Sequence, residues 1–320
     1  AVKLARAYTG KHKILARYRS YHGATAGAMA LTGDPRRWMW EPNLMPGVVH
    51  FLDPFRYRST FHRTNPDLPE AEFTQDYLNH LEEIIQFEGP GTIAAVLVES
   101  VTGTNGILIP PQGYLQGVRE MCSRYNIMMI ADEVMSGFGR TGKWFAVDHW
   151  GVVPDLITVA KGLTAGYVPL AAVVVSEPIA AFFDDKMLSC GLTYSSHPLA
   201  CAAGVRTLEV YQEEGLVENA AQMGRILGPR LEEIKARHPS VGDVRYIGLF
   251  SAIELVRDRA TKEPLASAIL SQALRDRGLS TLLLGNLVTV APPLCITETE
   301  LLAGLQIIDE ALDVADQCLA

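Results

Sequence analysis

The chain has no surplus of positive charge: 28 lysines and arginines stand against 36 aspartates and glutamates, a formal net charge of −8 over 320 residues. Nothing in that balance draws a polyanion, which argues against nucleic acid and anionic membrane surfaces as partners and favours small molecules. Cysteine is sparse and odd in number, with Cys122, Cys190, Cys201, Cys295 and Cys318 and no CxxC pair. That pattern points to reduced thiols in a cytosolic protein rather than to a disulfide framework or a zinc site. The longest apolar run, Val168 to Val175, is too short to cross a bilayer and contains Pro169. No GxGxxG follows the first strand-like run and no GxxxxGK[ST] is present, which disfavours dinucleotide and P-loop nucleotide binding. The opening "AVKLARAY" has helical spacing without a capping residue before it, so the reading expects a helix cut in its middle and a longer parent polypeptide.

What is present is an ordinary globular composition, 48% hydrophobic and 20% charged, long enough for a large core. From Lys13 to Val175 short apolar runs ("KILARY", "IAAVLVES", "IMMIADEV", "LITVA", "LAAVVVS") alternate with amphipathic helical stretches such as "FTQDYLNHLEEIIQF" and "GYLQGVREMCSRYN". Continuous apolar strands separated by helices predict an α/β fold, a mostly parallel central sheet with helices on both faces. Beyond Pro178 long helical patterns take over, followed by "VRYIGLFSAIELV", "LVTVAPPL" and a last amphipathic helix from Glu298. We expect a large α/β domain over residues 1–205, and a linking helix with a smaller α+β domain over 206–320.

Two strand ends carry charge. Asp132 and Glu133 close "IMMIADEV", and Lys161 closes "LITVAK" 29 positions after Asp132. In open α/β sheets ligands gather at the carboxyl ends of strands, so these groups share one edge. A buried ion pair and a ligand site are the competing readings, and a solvated strand-end lysine is a third. The glycine-rich stretches "SGFGRTG" and "GLTAGY" behind the two ends favour close backbone approach to a ligand.

At these residues the chain resembles the class III pyridoxal-phosphate aminotransferases of fold type I. "IADEVMSGFGRTGKWFAVDHWGVVPDLITVAKGLTAGYVPL" is similar to that family's signature in order and spacing. "YHG" at Tyr21, "VES" ending in Ser100, "TYSSHP" from Thr193 and "VAPPL" ending at Leu294 extend the likeness over the whole chain. The resemblance implies pyridoxal 5'-phosphate as cofactor, held by Lys161 as a Schiff base, with Lys161 also moving the proton as general acid and base. It implies that Asp132 pairs with the pyridine nitrogen, that Val134 and Tyr21 pack on opposite faces of the ring with His22 close by, and that Glu99 lies toward the ring hydroxyl. On the bottom-up reading Val134 shares a side with Asp132 because it follows two residues later in an extended chain. Thr193 resembles the residue that reaches the phosphate of a neighbouring subunit, which implies a homodimer or a dimer of dimers.

The likeness in "VESVTGTNGILIPP" and "DEVMSGFGRTGKWFAVDHW" is to the branch that moves an amino group from an ω-amino acid or primary amine to a keto acid such as pyruvate. A decarboxylating aminotransferase or aminomutase of the same fold is the nearest rival, and a non-catalytic dimerising module is the rival from another class. Two departures stand out: the family's phosphate-binding turn would lie before Ala1, and Leu282 to Asn286 lacks the arginine that in many relatives binds a substrate carboxylate. Arg140, Arg245, Arg275 and Arg277 lie elsewhere in the chain, and a guanidinium is the natural partner of a carboxylate.

Overall fold

The seven residues Ile93–Glu99 are all buried, which a strand achieves only when both faces of its sheet are covered. The structure, a computed structural model, describes residues 1–319 apart from 60, 62–64 and 66. Two compact units are present, one made of Ala1–Gly137 and Phe145–Glu209, the other of Phe138–Trp144 and Val210–Ala320.

The first unit runs α1 (Val2–Thr9), β1 (Lys13–Arg17), α2 (Ala26–Leu31), β2 (Val48–Phe51), α3 (Glu70–Glu88), β3 (Ile93–Glu99), α4 (Tyr114–Arg124), β4 (Met128–Asp132), β5 (Leu156–Val159), β6 (Ala172–Val175), α5 (Glu177–Phe182) and α6 (Pro198–Glu213), of which the part up to Glu209 belongs to it. The sheet order is β2-β1-β3-β4-β5-β6, parallel from β2 through β5. The α/β, mostly parallel architecture expected of fold type I is therefore the one found. Strand β6 departs from the pattern: it pairs antiparallel to β5 at the sheet edge, with Val173 39% and Val174 52% exposed. A continuous apolar run cannot by itself separate a strand buried on both faces from an edge strand.

Helix α3 shows why the helical stretches fold as they do. Glu70 and Glu72 sit in its first turn, where the helix dipole favours anions. Phe73, Tyr77, Leu81 and Ile85 recur every four residues and are buried, each contributing about 1.5–3 kcal/mol of apolar transfer. One core cluster joins Ala5 of α1, Leu31 of α2 and Ile179 of α5 to Ile14, Ala95, Leu97, Ile130 and Leu156 of the strands. Helix α1 is preceded by Ala1, which offers no side-chain cap, and followed by Gly10, whose φ of 68° closes the last turn.

The second unit contains α7 (Leu216–Arg237), β7 (Val241–Ile247), β8 (Phe250–Asp258), β9 (Glu263–Pro264), α8 (Ser271–Asp276), β10 (Leu283–Leu284), β11 (Leu287–Val290) and α9 (Glu298–Gln317). Its antiparallel sheet has the order β10-β11-β8-β7, with β9 on β8. Thr297 and Glu300 form a capping box at the start of α9. His238, just past α7, faces Asp316 at 2.7 Å and Asp309 at 3.0 Å and so fastens α7 to α9.

Candidate active site

Strand register builds the site. Glu99 is the pairing partner of Asp132 across β3 and β4, and Asp132 is the partner of Thr158 across β4 and β5. Two carboxylates and the end of β5 therefore lie side by side at the carboxyl edge of the parallel sheet. Three residues past Thr158, Lys161 opens a short 3-10 turn with φ of 37°, an uncommon value for a residue with a side chain and a sign of local constraint. Burial lowers the pKa of Lys161, while Asp132 and Glu99 pull it upward; the balance lies below the ordinary lysine value. The residue as a whole is exposed, so the desolvation is local to the ammonium end. Among the described residues its Nζ makes no hydrogen bond and no ion pair.

Asp132 is held from two sides. Its Oδ2 accepts from His22 Nδ1 at 2.7 Å and its Oδ1 accepts from the backbone N–H of Val134 at 3.0 Å. An ionised carboxylate can only accept, so the proton is on Nδ1, and His22 Nε2 is left buried without a hydrogen-bond partner. The Val134 contact corrects the sequence argument. The strand ends at Asp132 and the chain turns at once, so the two residues are joined by an aspartate side-chain turn and not by strand alternation.

Glu99 accepts from Tyr21 N at 3.0 Å and Gly103 N at 2.7 Å, which ties the Tyr21–His22 segment to the end of β3. Burial raises its pKa, with Asp132 acting in the same sense against the hydrogen bonds and His22. Behind it, buried Arg17 donates to the Glu99 carbonyl and, at 3.1 Å, to Thr102 Oγ1. Glu133, fully buried, accepts from Ser136 Oγ at 2.5 Å, Ala146 N at 3.1 Å and Val147 N at 2.9 Å, and burial raises its pKa too. It is a brace for the turn after β4 rather than a group facing the edge.

The structure thus brings Tyr21, His22, Glu99, Asp132, Val134 and Lys161 to one sheet edge. Thr193 is not brought to it by any bond: it lies on an exposed turn and its side chain makes no hydrogen bond among the described residues. In the loop "SGFGRTG" two glycines stand against neighbouring residues. A Cβ on Gly139 would meet Leu294 at 3.1 Å and Val217 at 3.2 Å, and one on Gly142 would meet the Ala221 backbone at 2.9 Å, so these two glycines permit packing inside the second unit.

One residue escaped the sequence argument. Arg36 lies in the 3-10 turn Pro35–Asn43, its guanidinium carbon 3.7 Å from the centroid of the Tyr21 ring. Buried Asp34 holds it by accepting from Nε (at 3.1 and 2.9 Å to the two oxygens) and from Nη2, and Asn105 Nδ2 donates to the same carboxylate at 3.1 Å. "DPRR" carries no periodicity and no motif, so nothing in the sequence marked it.

Against known proteins, a profile of the class-III aminotransferases matches residues 1–312. The chain belongs to that family. This class-III aminotransferase is 37% identical over 331 residues to the taurine–pyruvate aminotransferase of Bilophila wadsworthia, covering 96% of the chain and 70% of that protein. It superposes on the taurine:2-oxoglutarate aminotransferase of Bifidobacterium kashiwanohense, solved with pyridoxal phosphate and glutamate, with a TM-score of 0.94 and 45% identity over 100% of this chain and 73% of that one. An (S)-enantioselective omega-transaminase from Thermomicrobium roseum gives 0.92 and 39%, over 98% and 72%. The aminotransferase described here is a pyridoxal-phosphate-dependent transaminase of fold type I.

The residues present fit that cofactor. A pyridinium N–H needs an acceptor-only partner, and Asp132 is one, fixed by His22 and Val134. An aldehyde needs a primary amine whose neutral form is accessible, and Lys161 combines a lowered pKa with the absence of a hydrogen-bonding partner. Tyr21 and Val134 offer an aromatic and an aliphatic surface beside them.

Proposed function

We propose that this transaminase moves an amino group from an ω-amino acid or primary amine to a keto acid such as pyruvate. The reading is carried by Lys161, an amine with a lowered pKa placed beside the Asp132–His22 pair at the carboxyl edge of the sheet. Similar proteins act on taurine with pyruvate or 2-oxoglutarate, which supports this substrate range.

When bound, pyridoxal phosphate supplies an aldehyde that condenses with amines and a protonated ring that accepts the electron pair released at the donor carbon. Lys161 would anchor it and, with its neutral form accessible near working pH, would serve as the acid and base that moves the donor's proton. Asp132 keeps the ring nitrogen protonated, and His22 donates to Asp132 and fixes its orientation. Tyr21 and Val134 would pack on the ring faces and Glu99 would lie toward the ring hydroxyl, Glu99 also holding Tyr21 by its backbone N–H.

Thr193 reaches the phosphate held by a second copy of the chain, so the protein works as a homodimer. The support is that large apolar residues on either side of Thr193 in the chain stay exposed: Leu192, Tyr194, Leu199 and Val205. Five unpaired cysteines suit a reducing compartment, the cytoplasm.

The test is alanine formation from pyruvate with β-alanine, taurine or putrescine as donor, for the wild type and Lys161→Ala. Alanine made only by the wild type upholds the reading. With an α,α-dialkyl amino acid such as 2-aminoisobutyrate as donor, carbon dioxide released in step with alanine identifies the decarboxylating alternative, and a rearranged amino acid formed without any keto acid identifies an aminomutase.

A further inference from the structure

We infer that Arg36 reads the acid group of the substrate, so that this transaminase selects amine donors ending in a carboxylate or sulfonate over uncharged amines. The inference rests on the reading under Proposed function and names a substrate class for that site. Of the arginines the sequence offered for this task, Arg140 donates to the carbonyls of Leu249 and Pro292, Arg245 to Asp243 and Glu254, Arg275 to Ser271 and Gln272, and Arg277 to Glu310. Each is held in place by hydrogen bonds within the protein, to backbone carbonyls or to neighbouring side chains.

Arg36 is placed differently. Asp34, 3% exposed, takes the Nε–Nη2 edge of the guanidinium and fixes its plane, Asn105 fixes Asp34, and the stacking on Tyr21 fixes the depth. Nη1 has no hydrogen-bond partner among the described residues, and the side chain keeps 42% of its surface accessible. The backbone of Tyr21 is bonded to Glu99, and His22, the next residue, is bonded to Asp132. An oriented guanidinium with donors still open therefore stands one aromatic ring away from the carboxylates that flank Lys161. An oxyanion is the ligand such a donor recognises, through charge-assisted hydrogen bonds.

The experiment compares the ratio of kcat/KM for taurine and for β-alanine to that for propylamine, with pyruvate as acceptor, in the wild type, Arg36→Lys and Arg36→Met. In parallel, unreactive ethanesulfonate is titrated calorimetrically into the cofactor-loaded proteins. Expected is a fall in the acid-to-neutral ratio of about 10- to 100-fold in Arg36→Met, carried mostly by KM for the acids. Arg36→Lys should lose less, and ethanesulfonate binding should be detected in the wild type and lost in Arg36→Met. An unchanged ratio, with acid and neutral donors losing equally, would mean that Arg36 only supports Tyr21 and overturns the inference. A wild type that uses propylamine and not the acids overturns it while leaving the proposed transamination intact. No turnover with any donor overturns the transamination reading instead, and the ethanesulfonate titration then decides the role of Arg36 alone.

Discussion

Replacing Asp132 by Asn tests the site through its hydrogen bonds as well as its chemistry. The carboxylate accepts at both oxygens, from Val134 N at 3.0 Å and His22 Nδ1 at 2.7 Å. An amide has one acceptor. If its oxygen stays on Val134, its NH2 faces Nδ1, and the His22 proton must move to Nε2, which is buried and has no partner. If its oxygen turns to His22, the NH2 faces the Val134 N–H, donor against donor. The first arrangement keeps the His22 bond with its direction reversed but strands the buried Nε2 donor, and the second loses the Val134 bond; either costs about 1–3 kcal/mol. For a unit of 150–250 residues, which the first unit is, each kcal/mol lowers Tm by about 2–4 °C, so a fall of about 2–12 °C is expected in thermal unfolding. Amino transfer should fall as well, by about 10- to 100-fold from loss of a charged hydrogen bond to the ring nitrogen alone. An Asp132→Asn protein that melts and turns over as the wild type does would refute both the tautomer assignment and the role given to Asp132.

Lys161 has a signature in the cofactor-free protein. Its folded pKa is depressed, so between that value and the ordinary one near 10.5 the unfolded chain binds more protons, and stability should rise with pH across this window. Lys161→Met should flatten the rise in urea unfolding series, and an unchanged slope would place the desolvation elsewhere. Glu133→Gln should cost about 1–3 kcal/mol in denaturant unfolding, because the amide puts a donor against Ser136, Ala146 or Val147; no loss would mean that the brace after β4 is dispensable. Thr193→Ala should weaken pyridoxal phosphate affinity in a fluorescence titration while leaving Tm of the cofactor-free protein unchanged, and equal affinity would remove the cross-subunit contact.

The chemistry of this site was legible where it coincided with strand ends. Asp132 and Lys161 each interrupt an apolar run, and because those runs are parallel neighbours the sequence places both charges on one edge. Tyr21, His22 and Thr193 carry no such mark; they were reached through family likeness. Val134 was named for the wrong geometric reason, since periodicity cannot foresee that an aspartate side chain will capture the N–H two residues on. Arg36 was missed because its position depends on a bidentate pair with Asp34 and a ring contact fifteen residues back. The helix α2 and strand β2 also went unread, being too short for a period to show. The mostly parallel sheet was legible from β3 and β4, whose residues are buried throughout, and the exposed edge β6 was not.

The most direct measurement is borohydride reduction of the protein mixed with pyridoxal phosphate, followed by proteolysis and mass spectrometry. The account expects the cofactor's mass on the peptide containing Lys161, and its disappearance when an ω-amino acid donor is added before reduction. Cofactor mass on another lysine, or on none, would contradict it.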